Sequence, residues 1–176
     1  MKSYYIQLIR NGLTAGNVGG RYIGHTDEEL SAEGIEQIKQ MKEDYRYPNQ
    51  LGLRLGFVPD LARKIYAGSD MFLMPSKSEP CGLSQMVALR YGSIPIVRET
   101  GGLKDTITDS GDNEGNGFTF ARYNAHDMLH SIRRAVEGYQ NEEGWNVLVK
   151  RALECNNSWN RSANEYIRLY KAVLKG

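Results

Sequence analysis

The sequence predicts an α/β protein with a mostly parallel sheet and helices on both faces. Two observations carry that prediction. Short runs rich in β-formers alternate with runs of helical apolar spacing, joined by short connections. Many of the 19 glycines among the 176 residues follow apolar runs, where strands turn into helices. The length suffices for one domain with its own core.

"YYIQLI" (4–9) is dense in β-formers and stops at Gly12, so it reads as the first strand. Residues 11–30 lack periodicity and form a long loop. Ser31 is a helix start, and Ile35, Ile38 and Tyr45 continue at helical spacing. A turn at 47–50 precedes an alternating strand at 51–57. Pro59 and Asp60 open a helix that ends at Gly68. "DMFLMPS" (70–76) is a buried-type strand, "LSQMVALRYG" (83–92) a helix, and "IPIVRE" (94–99) a further strand. Residues 102–109 read as a short helix or turn, 110–117 as a polar, flexible segment, and 118–121 as a last strand. Three helices follow, with apolar faces Leu129, Ile132, Val136 and Tyr139; Trp145, Leu148, Val149 and Ala152; and Tyr166, Ile167, Tyr170 and Val173.

Composition excludes several classes. Lys and Arg number 22 against 21 Asp and Glu, a net charge of +1, without the basic excess of a nucleic-acid binder. No apolar run approaches the roughly 20 residues that span a bilayer, and the N-terminus does not read as a signal peptide. Two cysteines, Cys81 and Cys155, suggest neither a disulfide framework nor a zinc site, which points to a reducing, cytoplasmic setting. His126 and His130 could share a helix face, but with no third ligand the pattern predicts no metal and no cofactor.

Two turns carry the chemistry. "SKSEPCGLSQ" (76–85) follows a strand and opens a helix at Gly82, Leu83 and Ser84, whose free N–H groups make an anion site. Glu79 beside it suits sugar hydroxyls better than phosphate. Spacing alone favours an ordinary strand-to-helix connection, with Glu79 near the positive end of the helix dipole. "RETGGLKDT" (98–106) repeats the pattern. Two such turns at one edge of a sheet predict a ligand crevice at the carboxyl ends of the strands.

"KIYAGSDMFLMPSKSEPCGLSQMVALRYGSIPIVRETGGLKDT", with "NGFTF" and "SWNRSANEYIRLYK", closely resembles the nucleotide-sugar-binding C-terminal domain of bacterial glycogen synthases over about residues 50–176. By position, that resemblance implies that Tyr66 stacks on the adenine of ADP-glucose and Glu79 holds a glucose hydroxyl. It implies that Cys81, Gly82, Leu83 and Ser84 line the sugar and diphosphate. Without it, Tyr66 reads as a helix residue packing on the sheet. Such synthases also use a basic Arg…Lys pair and an N-terminal acceptor domain, neither of which is recognisable here. Full synthase activity is therefore not expected.

"LIRNGLTAGNVGGRYIGHTDEELSAEGIEQIKQ" (8–40) resembles the histidine phosphatase (phosphoglycerate mutase) superfamily, nearest to ribazole-phosphate phosphatases, through Arg10, Gly12, Thr14, Asn17, Gly20, Arg21 and the 30–34 helix start. Asn11 stands where that family has its nucleophilic His, and an amide cannot form the phospho-enzyme. Together the two resemblances imply a chimera, natural or more readily engineered. A phosphatase-like segment (1–47) joins a synthase-like segment (48–176) in one α/β domain, with the seam near 44–51.

Placing strand 4–9 in the centre gives five strands in the order 51–57, 4–9, 70–75, 94–98, 118–121. That is the flavodoxin-like (Rossmann-like) order 2-1-3-4-5 of a three-layer fold. Arg10, with Arg21, then faces the 82–84 helix start as a residual anion site. The functional expectation is a domain without catalytic turnover and without catalytic residues. It binds ADP, ADP-glucose or phosphate weakly, and neither nucleic acid nor membrane. The alternative is a fragment of a glycogen synthase-type glucosyltransferase using ADP-glucose.

Overall fold

The computed structural model describes residues 31–43, 58–112 and 114–174. They fall into two units, Met1–Ser69 and Asp70–Gly176. The predicted strands 4–9 and 51–57 lie outside the described residues, as do Arg10, Asn11 and Arg21.

Two helices of the first unit are described. Helix α1 (Ala32–Glu43) begins where Ser31 predicts: its hydroxyl accepts the Gly34 N–H at 3.0 Å, satisfying one amide of the first turn. Helix α2 (Pro59–Gly68) has proline in its first turn, where a missing N–H costs nothing. Asp60 follows at the positive end of the helix and pairs with Arg63.

The second unit runs β1 (Met71–Met74), α3 (Ser84–Tyr91), β2 (Ile94–Arg98), α4 (Gly101–Thr106), a 3-10 turn (Ser110–Asp112), β3 (Phe118–Phe120), α5 (Ala125–Tyr139), α6 (Glu142–Glu154) and α7 (Trp159–Val173). The three described strands are parallel, in the order β1-β2-β3. Ile94, Pro95, Ile96 and Val97 are all buried. Successive strand residues point to opposite faces, so both faces of β2 are covered, which is why that strand is a continuous apolar run. Pro95 is tolerated because of where it falls. Ile94 donates to Asp70 on the β1 side, so the nitrogen of Pro95 faces β3, whose pairing starts one residue later at Ile96 and Phe118.

Helix ends follow local chemistry. Gly92 closes α3 in the left-handed region at φ 76°, and the N–H groups of Gly92 and Ser93 return to the carbonyls of Leu89 and Ala88. Asn124 and Asn141 cap α5 and α6 by accepting the N–H of Asp127 (2.9 Å) and of Gly144 (3.1 Å).

The core of this unit is Leu73, Leu89, Ile94, Ile96, Val97, Leu103, Ile107 and Phe118, closed by Trp145, Leu148 and Ala152 of α6. Each fully buried aliphatic here contributes about 1.5–3 kcal/mol. Trp145 stacks on Phe118 at 6.5 Å and meets Tyr139 edge-on at 5.0 Å.

Three expectations are corrected. On α5 Ile132 and Tyr139 pack against the core as expected, but the fully buried residues are Ser131 and Ala135, and Leu129 is exposed. Small side chains let α5 lie close to β3, where the Ser131 hydroxyl donates to the Thr119 carbonyl at 2.6 Å. The apolar face of α7 remains at the surface, with Tyr166, Ile167, Tyr170 and Val173 all exposed. The 110–117 segment, read as flexible, is pinned at both ends. Asp109 bridges to Gly117, and its carboxylate accepts the N–H of Gly111 (2.9 Å) and of Thr119 (2.7 Å) and pairs with Arg134 of α5. Burial alone raises the Asp109 carboxyl. The Arg134 hydrogen bond, the two amides and the Arg134 charge outweigh it, so its pKa lies below the ordinary carboxylate value.

Candidate functional site

Because the strands are parallel, the turns after β1 and β2 emerge at the same carboxyl edge, where open α/β sheets receive ligands. The structure brings these two turns into backbone contact. The Gly102 N–H donates to the Glu79 carbonyl at 3.1 Å. A Cβ on Gly101 would lie 2.1 Å from that oxygen, and one on Gly102 would lie 1.9 Å from the Cys81 carbonyl oxygen. Only glycine fits either position, and Gly101 also needs a positive φ of 44°.

The first turn is braced from two further directions. Gln85, fully buried in α3, donates from Nε2 to the Gly82 carbonyl (2.9 Å), the Cys81 carbonyl (3.2 Å) and Thr106 Oγ1 (3.2 Å). Thr106 in turn donates to the Gly102 carbonyl at 2.6 Å, so one buried amide ties both turns together. At the other end, Arg98 Nε donates to the Ser76 carbonyl at 2.9 Å and Nη2 to that of Lys77. Sequence reasoning missed Gln85. Arg98 carried a legible signal, a cation ending a buried apolar strand at a ligand edge.

The predicted residues take the following places. Glu79 is half-buried, with the Ser76 hydroxyl 3.5 Å from Oε2. Cys81 is exposed, and its thiol reaches the Gly82 carbonyl at 3.7 Å. Gly82 has φ 74°, and a Cβ there would meet Gln85 Oε1 at 2.6 Å. Leu83 occupies the N-cap of α3 and is 69% exposed, and Ser84 begins the helix. No side chain caps α3, so its first N–H groups face outward with the positive end of the dipole. Tyr66 is half-buried on α2 in the first unit.

His126 and His130 are exposed on α5. Among the described residues no group of three or more His, Cys, Asp or Glu is arranged to hold a metal ion. No described helix is long and apolar enough to cross a membrane.

This arrangement offers amide donors for an anion at the α3 terminus and a carboxylate beside it for hydroxyl groups. The family model "Glycosyl transferases group 1" matches residues 19–150. A glycogen synthase of Clostridium acetobutylicum is 58% identical over 133 residues, which are 74% of this chain and 28% of that protein. A glycogen synthase of Bacillus cereus (strain Q1) is 53% identical over the same length and the same shares. The chain thus spans about 28% of the length of these relatives. Among solved structures, the catalytic domain of starch synthase IV from Arabidopsis thaliana, bound to ADP and acarbose, superposes with a TM-score of 0.72 at 36% identity, covering 83% of this chain and 31% of that one.

These findings overturn the chimeric reading and, with it, the expectation of a domain without turnover. The match spans residues 19–150, a range that includes the seam expected at 44–51. Arg21 and most of the phosphatase-like segment therefore fall inside one glycosyltransferase pattern. The matching family and the relatives are glycosyltransferases, not histidine phosphatases. The alternative, a glycogen synthase-type fragment, is the reading that holds.

Proposed function

We propose, for a chain that belongs to the group 1 glycosyl transferases, that it forms the donor side of a glucosyl-transfer cleft taking ADP-glucose. The observation that carries the proposal is the pair of strand-end turns locked around the uncapped α3 terminus. Outward N–H groups at Gly82, Leu83 and Ser84 receive the diphosphate, whose negative charge grows as it leaves the glucosyl carbon. The Glu79 carboxylate accepts from a glucose hydroxyl and so selects sugar over a bare phosphate, which it repels. Cys81 and Leu83 present exposed side chains at the rim. In this reading the glucosyl group passes from ADP to an acceptor glucan hydroxyl, with ADP as the leaving group.

The Arabidopsis relative with ADP bound supports the nucleotide assignment. Calorimetric titration of the chain with ADP-glucose, ADP and inorganic phosphate tests it, alongside NMR amide shifts. ADP-glucose is expected to bind more tightly than ADP, to shift the amides of residues 79–84, and to lose its advantage in Glu79→Gln. No shift in that stretch at millimolar ADP-glucose would sink the proposal.

A further inference from the structure

We infer that Arg98 is a positioning residue for the donor sugar: it fixes the start of the 76–82 turn and thereby sets where the Glu79 carboxylate stands. The inference rests on the donor-binding reading above.

Arg98 is the last residue of β2, whose other four residues are buried, so its backbone is anchored in the core. Its guanidinium reaches across to the neighbouring strand's turn and binds two consecutive carbonyls, those of Ser76 and Lys77. The Tyr123 ring sits 5.6 Å from the guanidinium carbon, a cation–π contact that holds the group in place. The turn between β1 and α3 contains no regular secondary structure of its own, so side chains must supply its restraints. Gln85 and Gly102 restrain its middle and end. Arg98 restrains its start, and the Ser76 hydroxyl, 3.5 Å from Glu79 Oε2, links that anchor to the Glu79 carboxylate, whose backbone carbonyl is held by Gly102.

A planar fork of N–H donors suits two adjacent carbonyls, whereas a lysine ammonium on its flexible stem is a point charge without that fork. Releasing residues 76 and 77 shifts the Ser76 hydroxyl and lets the Glu79 carboxylate swing away from the sugar, although the Glu79 carbonyl stays on the Gly102 N–H, while the α3 terminus, held separately by Gln85, keeps its place for the diphosphate. The expected signature is therefore a split between ligands. ADP, which carries no glucose, is insensitive, and ADP-glucose is not.

The test uses the full chain with ADP and ADP-glucose as probes. In Arg98→Ala, ADP-glucose affinity is expected to fall about tenfold, one charge-assisted hydrogen bond's worth, with ADP affinity unchanged within about twofold. Arg98→Lys, which keeps the charge, recovers part of the loss. In the ligand-free protein, the amide signals of residues 76–79 shift in both variants, while those of α5 do not. Equal losses for ADP and ADP-glucose, or wild-type positions for the 76–79 amides in either variant, overturn the inference. If Arg98→Ala does not fold, Arg98→Lys still decides through the same amide signals and the same affinity ratio. Should the wild-type chain bind ADP-glucose no better than ADP, the donor reading fails, and the amide signals still report on whether Arg98 holds the turn.

Discussion

Replacing Gly102 with alanine probes the crevice directly. Gly102 is buried and helical, so alanine there gains about 1 kcal/mol of helix propensity over glycine. Against that gain, the new Cβ would lie 1.9 Å from the Cys81 carbonyl oxygen, where real Cβ contacts essentially never fall below 3.0 Å. The obstacle is backbone, and the turn must retreat by roughly 1 Å in a closely packed site. Retreat strains the Gln85 contact with the Cys81 carbonyl and the Gly102 contact with the Glu79 carbonyl. Overpacking costs about 1–3 kcal/mol and a weakened hydrogen bond about 1 kcal/mol, so the net loss is about 1–3 kcal/mol once propensity is credited. Urea denaturation measures it, with Gly138→Ala as the control. Gly138 is also helical, but a Cβ there meets only Phe118 Cζ at an ordinary 3.6 Å, and that variant is expected to gain about 0.5–1 kcal/mol. If Gly102→Ala is as stable as wild type, or stabilised like the control, the close approach of the two turns is refuted.

Three further outcomes follow from the packing and charge of the second unit. Asp109 titrates lower in the folded than in the unfolded chain, so its contribution is complete above the unfolded carboxylate pKa near 4 and is lost as pH falls through the folded value. Melting temperatures between about pH 6 and pH 3 should therefore drop less steeply in Asp109→Asn than in wild type, and parallel profiles would contradict this. Trp145→Ala removes a buried ring packed on Phe118 and Tyr139, with an expected loss of about 3–5 kcal/mol by urea denaturation; a loss below about 1 kcal/mol would mean the ring is not a core element. Asn141→Ala deletes the α6 cap and should cost about 1 kcal/mol, read from the same denaturation curves.

Much of the second unit was legible because its signals are local. "IPIVR" reads as a strand and is one. Gly92 marks the end of α3, and Trp145, Leu148 and Ala152 keep to one face of α6. What failed depended on partners distant in sequence. Asp109 looks like one more polar loop residue until Arg134, 25 residues later, folds back on it. The periodicity of α5 correctly brought Ile132 and Tyr139 onto the core but gave no sign that close packing against β3 would bury Ser131 and Ala135 most fully. That two turns share an edge of the sheet followed from the strand–helix alternation. That Gln85 joins them did not, since a glutamine in a helix gives no sign of the carbonyls it will meet. The chimeric reading erred by resting on a short motif, where the family match spans residues 19–150.

Backbone shape and side-chain chemistry are separable in the turn after β1. Its path is dictated by Gly82, Gly101, Gly102, Gln85 and Arg98, which grip its backbone, whereas the side chains of Cys81 and Leu83 are exposed. The side chains at positions 81 and 83 can therefore be changed with little penalty in folding. Changes at the five framing residues alter the loop itself. Substitutions should accordingly be tolerated at the first set and resisted at the second.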